Sequence, residues 1–238
     1  IGGFGIVLIE RSDVADAKMR VFNRDGSEGR MAGNCIRSMG KYLYDKGYIT
    51  GTEATIETES GVKHLQLYTS NNKVTFVSAE MGRASLRTQD IPCTLDTDRV
   101  VNYPVEIGGG YYNITCVSIG NPHCVVFVPR VADVDIETVG PAFESAPIFP
   151  ERVNTEFIRV VNRNTIKMRV YERGNGETWA CGTGACAAVV AACENSLCPK
   201  GEDVTVKVRG GDLIVNYTDE GVSLSGDTKL VYEGVTEY

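Results

Sequence analysis

The sequence predicts an α+β fold of two pseudo-symmetric lobes, each with strands wrapped around a central helix. Three observations carry that prediction. One segment is written twice: "KMRVFNRDGSEGRMAGNCIRS" (residues 18–38) and "KMRVYERGNGETWACGTGACA" (167–187) keep one register, 149 residues apart (168 − 19). Most of the remaining chain consists of short β-rich runs bounded by turn residues. Each copy of the repeat also runs through a Gly-containing turn into a stretch of helical pattern.

In chain order, "GIVLIE", "ATIETES", "KHLQLYTS" and "KVTFVSAEM" read as strands, several with apolar–polar alternation. A polar, Pro-containing stretch (87–104) interrupts, and "YYNITCVSI", "HCVVFV", "NTEFIRVV" and "TIKMRVYE" resume the pattern. The segment "DVTVKVRGGDLIVNYTDEGVSLSG" predicts a strand pair turning at Gly210-Gly211, followed by a further hairpin arm. A helix over 35–46 places Ile36, Met39, Tyr42 and Leu43 on one side and stops before Gly47. A second helix over 184–195 is apolar on nearly all faces, as a buried helix is. A third, weaker pattern covers 136–144.

The repeat pairs Val21 with Val170, Phe22 with Tyr171, Asn23 with Glu172, Arg24 with Arg173, Glu28 with Glu177, Ala32 with Cys181 and Gly33 with Gly182. The expected division is 1–80 plus 228–238 for one lobe and 81–227 for the other. Repeats of this kind face each other across a shared cleft, a favoured binding place. The chain opens without Met, inside a turn leading to a strand, so a preceding segment is expected.

Composition removes several function classes. A formal charge of −7 argues against nucleic-acid or anionic-membrane partners. No apolar run approaches a membrane span of roughly 18–20 residues, so a soluble chain is expected. The eight cysteines are scattered, with no C-x-x-C pair, and two histidines give a zinc site little support. Reduced thiols in a cytoplasmic protein are the expectation.

Chemistry gathers at the two helix starts, where free backbone N–H groups and the positive end of the dipole favour an anion. Gly33-Asn34 and Gly182-Thr183 leave the approach open to a carboxylate. Cys181 stands immediately before one such start. There a thiol pKa is expected to fall from about 8.5 toward roughly 3.5–7.5. A nucleophile would want an adjacent histidine, yet His64 and His123 are both far from it in sequence. Twin helix starts on one carboxylate instead suggest inversion at an α-carbon, with a base on one side and an acid on the other.

The blocks "SEGRMAGNCIRSMGKYLYDKG", "GNPHCVVFV", "ERVNTEFIRV" and "YERGNGETWACGTGACA" resemble the successive signatures of the diaminopimelate epimerases, over essentially the whole chain. The resemblance implies two barrel-like, mostly antiparallel lobes, each around a central helix, with substrate between them. It implies a cofactor-independent, two-base conversion of LL- to meso-diaminopimelate, no metal, and a homodimer. Residue by residue, it makes Cys181 one acid–base and places Gly33, Asn34, Gly182 and Thr183 at the substrate carboxylate. Asn23, Asn121, Asn154, Glu172 and Arg173 match the polar groups that hold the rest of the substrate, with Glu172 and His123 close to the reacting centre.

Two departures stand out. The family reads "MCGNG" where this chain reads "MAGNC", so Ala32 occupies the position of the second cysteine and has no proton to exchange. Three explanations stay open: an engineered silencing substitution, a natural variant with altered or lost activity, or substitution by Cys35, one helical turn deeper. The family's "GNDF"-like stretch is also missing. Alternative functions are a cofactor-independent racemase or dehydratase of another amino acid, or a substrate-binding protein without turnover.

Overall fold

The computed structural model describes residues 5–23, 26–29 and 32–235. Arg24, which the repeat pairs with Arg173, lies outside the described residues. The chain divides into two compact units, Ile1–Ala79 with Ser225–Tyr238, and Glu80–Leu224.

The first unit contains β1 (Gly5–Glu10), β2 (Ala17–Asn23), β3 (Glu28–Gly29), α1 (Gly33–Asp45), β4 (Glu53–Thr58) and β5 (Gly61–Ser70). In β6 (Lys73–Gly82) the chain leaves it. The strand order is β1-β2-β4-β5-β6, with β3 paired to β2. The β2–β4 pair is parallel and the other pairs are antiparallel. Alternation decides which residues are buried: Ala17, Met19 and Val21 of β2, and Ala54 and Ile56 of β4, turn inward. Helix α1 buries Ile36, Met39 and Leu43. Tyr42 does not join them: it is 40% exposed and stacks on Tyr48. A Cβ on Gly40 would lie 2.8 Å from Leu65 Cδ2 and 3.0 Å from Leu67 Cδ2, so α1 lies against β5 as closely as a glycine permits.

The second unit contains β7 (Tyr103–Ile107), β8 (Gly110–Ser118), β9 (Pro122–Phe127), α2 (Ile136–Glu144), β10 (Asn154–Asn162) and β11 (Thr165–Glu172). It continues with β12 (Gly176–Thr178), α3 (Gly182–Glu194), β13 (Asp203–Val208) and β14 (Gly211–Tyr217). In β15 (Val222–Asp227) the chain returns to the first unit. The order is β7-β8-β9-β10-β11-β13-β14, with β12 on β11, and the β9–β10 and β11–β13 pairs are parallel. Helix α3 is buried from Gly182 to Ala192 and packs on β8, β9, β10, β11, β13 and β14. Its Gly, Ala, Cys and Val side chains are small enough to let strands approach from every side. Phe143 of α2 packs edge-on to Tyr112 and Phe157, with ring centroids 4.9 and 5.6 Å away.

The sheets are mixed, with mostly antiparallel pairs and few helices. Strand β7 begins inside the stretch the sequence pattern leaves unassigned. It ends the strand order and pairs only with β8, a position that tolerates Pro104. Both long helices start two residues earlier than the pattern predicts, at Gly33 and Gly182. No helix among the described residues is long and apolar enough to cross a membrane.

The repeated segment folds with one register in both units. Val21 pairs with Gly29 and Phe22 with Glu28; 149 residues on, Val170 pairs with Thr178 and Tyr171 with Glu177. Each hairpin is clamped by a forked ion pair. Arg20 meets Glu28 at 2.7 and 2.9 Å, and Arg169 meets Glu177 at 2.7 and 3.1 Å. The duplicated Arg and Glu residues thus hold the turn that delivers the chain to its helix start.

Candidate active site

Ala32 and Cys181 are the N-caps of α1 and α3, both helices of 13 residues. Their backbones are alike, at φ −140°, ψ 106° and φ −117°, ψ 116°. In each, the cap carbonyl accepts the first helical bond, from Ile36 at 3.0 Å and from Ala185 at 2.9 Å. The side chains separate them. Cys181 Sγ accepts from the Gly184 amide at 3.3 Å, whereas Ala32 makes no side-chain cap.

The expectation of a lowered Cys181 pKa is overturned. Burial pushes the thiol well above its ordinary value, and the neighbouring Glu172 and Glu156 carboxyl groups push it further. Contacts with Thr183 and the Gly184 amide act in the opposite direction without compensating. The helix start supplies partial charge, but a buried sulfur beside two carboxyl groups rests as the thiol.

A line of hydrogen bonds reaches this sulfur. Glu156 Oε1 lies 2.7 Å from His123 Nδ1, and His123 Nε2 lies 3.0 Å from Asn121 Oδ1. Asn121 Nδ2 donates to Thr183 Oγ1 at 3.3 Å, and Thr183 Oγ1 is 3.5 Å from Cys181 Sγ. Backbone geometry sets this up. Asn121 and His123 flank the start of β9, Glu156 sits on the adjacent β10, and Thr183 is in the first turn of α3. Gly184 leaves room for the carboxylate, since a Cβ there would fall 2.6 Å from Glu156 Oε1 and 3.3 Å from Cys181 Sγ.

Glu172, at the end of β11, accepts a hydrogen bond from Thr178 and contacts the Cys181 thiol. Desolvation raises its pKa, and the Glu156 charge adds to the effect. A carboxyl raised in the folded state favours folding at low pH and loses that contribution as pH rises through the folded value. Glu172→Gln, which keeps an oxygen for Thr178, is therefore expected to raise stability by about 1 kcal/mol at pH 8. The gain should vanish near about pH 4, below the unfolded value, as thermal melts at the two pH values would show.

The other expected residues fall into local clusters. Asn154 donates to the Pro122 carbonyl at 2.9 Å and accepts from the Arg173 amide at 2.9 Å, tying the ends of β9 and β11 together. The Arg173 guanidinium donates to the Glu151 carbonyl at 2.9 Å. Asn23 closes the β2–β3 turn, bonding Ser27 Oγ at 3.0 Å. Gly33 and Asn34 form the first turn of α1, where the buried Arg37 donates to the Gly33 carbonyl and to Asn34 Oδ1, both at 2.9 Å. Cys35 lines a cavity of about 410 Å³ with Val7, Ile9, Met39, Tyr42 and Leu230, and burial pushes its thiol pKa up. Both features make Cys35 a poor base. Among the described residues, no group of three or more His, Cys, Asp or Glu is arranged to hold a metal, and all eight cysteines are free.

Sequence reasoning missed Glu156 and Arg37. The available signal for Glu156 was a lone carboxylate between Thr155 and Phe157, inside a strand buried on both faces. Charges in such positions are paired.

Residues 1–87 and 115–231 match the family described as diaminopimelate epimerase. The chain is 45% identical over 236 residues to the diaminopimelate epimerase of Acetivibrio thermocellus, covering 98% of this chain and 84% of that protein. The chain belongs to the diaminopimelate epimerase family. Its identity to the diaminopimelate epimerase of Methanococcus maripaludis is 43% over 236 residues, covering 98% of this chain and 84% of that one. Among solved structures, the fold is similar to a probable proline racemase from Agrobacterium radiobacter, with TM-score 0.71 and 13% identity over 96% of this chain and 76% of that one. It is also similar to a hydroxyproline epimerase from Agrobacterium vitis, with TM-score 0.71 and 13% identity over 93% and 72%. At that identity the two structures bear on the epimerase-like fold alone.

Proposed function

We propose that this chain acts on diaminopimelate, moving without a cofactor the α-proton of whichever of the LL and meso isomers presents it to Cys181, and that Ala32 impairs inversion. The observation that carries the reading is the buried Cys181 sulfur at the N-cap of α3, in contact with Glu172, Thr183 and Gly184. In this reading the substrate carboxylate meets the free amides of the Gly182-Thr183 turn, where helix polarity favours negative charge. The cationic α-ammonium counters the carboxyl groups that hold the Cys181 thiol protonated. The thiol proton then passes to the Glu172 carboxylate, and the thiolate takes the α-proton. The C–H electron pair delocalises into the substrate carboxylate, where the amides at the α3 start stabilise the developing charge. Return of the proton from Cys181 restores the starting isomer. Inversion needs a second donor, and Ala32 has none.

The remaining assignments follow the same reading. Each unit is taken as a barrel-like lobe around its long helix, related to the other by the repeat. The equal hairpin registers and matching N-cap geometries support it. Asn23, Asn34, Asn121, Asn154 and Arg173 are assigned to binding substrate. Arg173 keeps guanidinium donors beyond its one bond to Glu151, enough for a distal carboxylate. His123 orients the groups about the reacting centre.

Incubation with LL- or meso-diaminopimelate in deuterated water, with no added pyridoxal phosphate, tests the proposal. Deuterium should enter the α-carbon of diaminopimelate and not that of proline. Exchange of proline alone would favour a racemase of another amino acid. The missing cap side chain at Ala32 favours one further reading, binding without turnover, which calorimetric binding with no deuteration would select.

A further inference from the structure

Glu156 takes no proton in the chemistry above, yet it is the most completely buried carboxyl group at the site. Its relative exposure is 0%, as is that of His123. Oε1 contacts His123 and lies against the first turn of α3, at the positive end of the helix dipole. Oε2 has no hydrogen-bond partner among the described residues. A buried group of this kind is costly unless the structure uses it.

Donor and acceptor logic shows a use. Asn121 Oδ1 faces His123 Nε2, so Nε2 must carry a hydrogen. Asn121 Nδ2 donates to Thr183 Oγ1, which leaves the Thr183 hydrogen free to point at Cys181 Sγ. The Gly184 amide already points there. Every donor in the line is then aimed at the sulfur, the arrangement that receives a thiolate. Turning the Asn121 amide reverses the line, so that Thr183 donates to Asn121 and the sulfur loses one of its two donors. The state of the His123 ring selects between the two directions.

We propose that Glu156 is a positioning residue: its carboxylate accepts from His123 Nδ1, keeps hydrogen on both ring nitrogens, and so fixes the Asn121–Thr183–Cys181 line with its donors directed at the sulfur. The proposal rests on Cys181 being the base. The carboxylate and imidazolium form a neutral pair, so removing one member changes the direction of the line more than the net charge of the site. The other titratable groups facing Glu156 are Cys116 of β8, Glu172 of β11 and Cys181 at the start of α3.

The chain has two histidines, His64 on β5 being exposed, so a nitrogen-15 spectrum of the full chain contains only two imidazoles. In the unsubstituted protein at neutral pH, His123 should show hydrogen on both Nδ1 and Nε2. In Glu156→Gln, whose amide oxygen accepts from Nδ1–H, only Nδ1 should carry one, and the bare Nε2 then turns the Asn121 amide and reverses the line. The kcat for α-proton exchange should fall about 100-fold across the pH range with KM within about threefold, the scale of a misdirected general base. A neutral His123 ring in the unsubstituted protein overturns the proposal, and that spectrum needs neither a folded variant nor turnover. A Gln variant with an unchanged ring spectrum also overturns it. So does a pH profile that merely slides to lower pH with the same maximum, because Glu156 would then be only a neighbouring charge. Lack of diaminopimelate exchange in the unsubstituted chain would count against the functional reading, and the ring spectra would still decide the role of Glu156.

Discussion

Ala32→Cys is expected to raise turnover between LL- and meso-diaminopimelate by about 10²–10⁴-fold, the contribution of one positioned acid–base group. The backbone is ready for it, since residue 32 is an extended N-cap leading into Gly33, as Cys181 leads into Gly182. Position 35 limits the gain. Gly184, its counterpart 149 residues on, would place a Cβ only 3.3 Å from Cys181 Sγ, and Cys35 carries such a Cβ. A thiol at 32 in the Cys181 conformation is therefore crowded. The pair Ala32→Cys with Cys35→Gly should exceed the single substitution, and coupled measurement of meso-diaminopimelate formation checks both. If Cys35 is the working substitute, Cys35→Gly alone abolishes the residual turnover; the apolar cavity it lines predicts that it does not.

Cys181→Ala is expected to reduce α-proton exchange by about 10³-fold or more, since it removes the base itself. The fold should survive. Residue 181 is a helix cap whose side chain makes one amide contact at 3.3 Å, and Ala32 shows that the same turn forms with alanine. Loss of that cap contributes about 1 kcal/mol. Unchanged exchange in this variant, with the melting temperature lowered by only a few degrees, would remove Cys181 from the mechanism.

Much of this site was legible in the chain. The repeat placed Ala32 opposite Cys181 from register alone, and the structure gives both residues the same role at a helix start. The helix over 182–194 was readable because its apolar residues have no polar face. Other features were not legible, for physical reasons. The expected fall in the Cys181 pKa rested on helix polarity, a local property, whereas burial beside Glu172 and Glu156 comes from strands far away in sequence. The pairing of Glu156 was not legible because its partner His123 is 33 residues distant on a parallel neighbour, and parallel registers leave no short-range pattern. Strand β7 was missed because Pro104 argues against a strand until it is known to lie at an edge.

The most direct measurement compares deuterium entry with inversion when the unsubstituted chain meets a single diaminopimelate isomer in deuterated water. A lone sulfur that takes and returns a proton on one side predicts deuterated starting isomer accumulating well ahead of its epimer. Epimer forming as fast as deuterium enters, with Ala32 in place, would show that a second proton donor exists and that the single-thiol account is wrong.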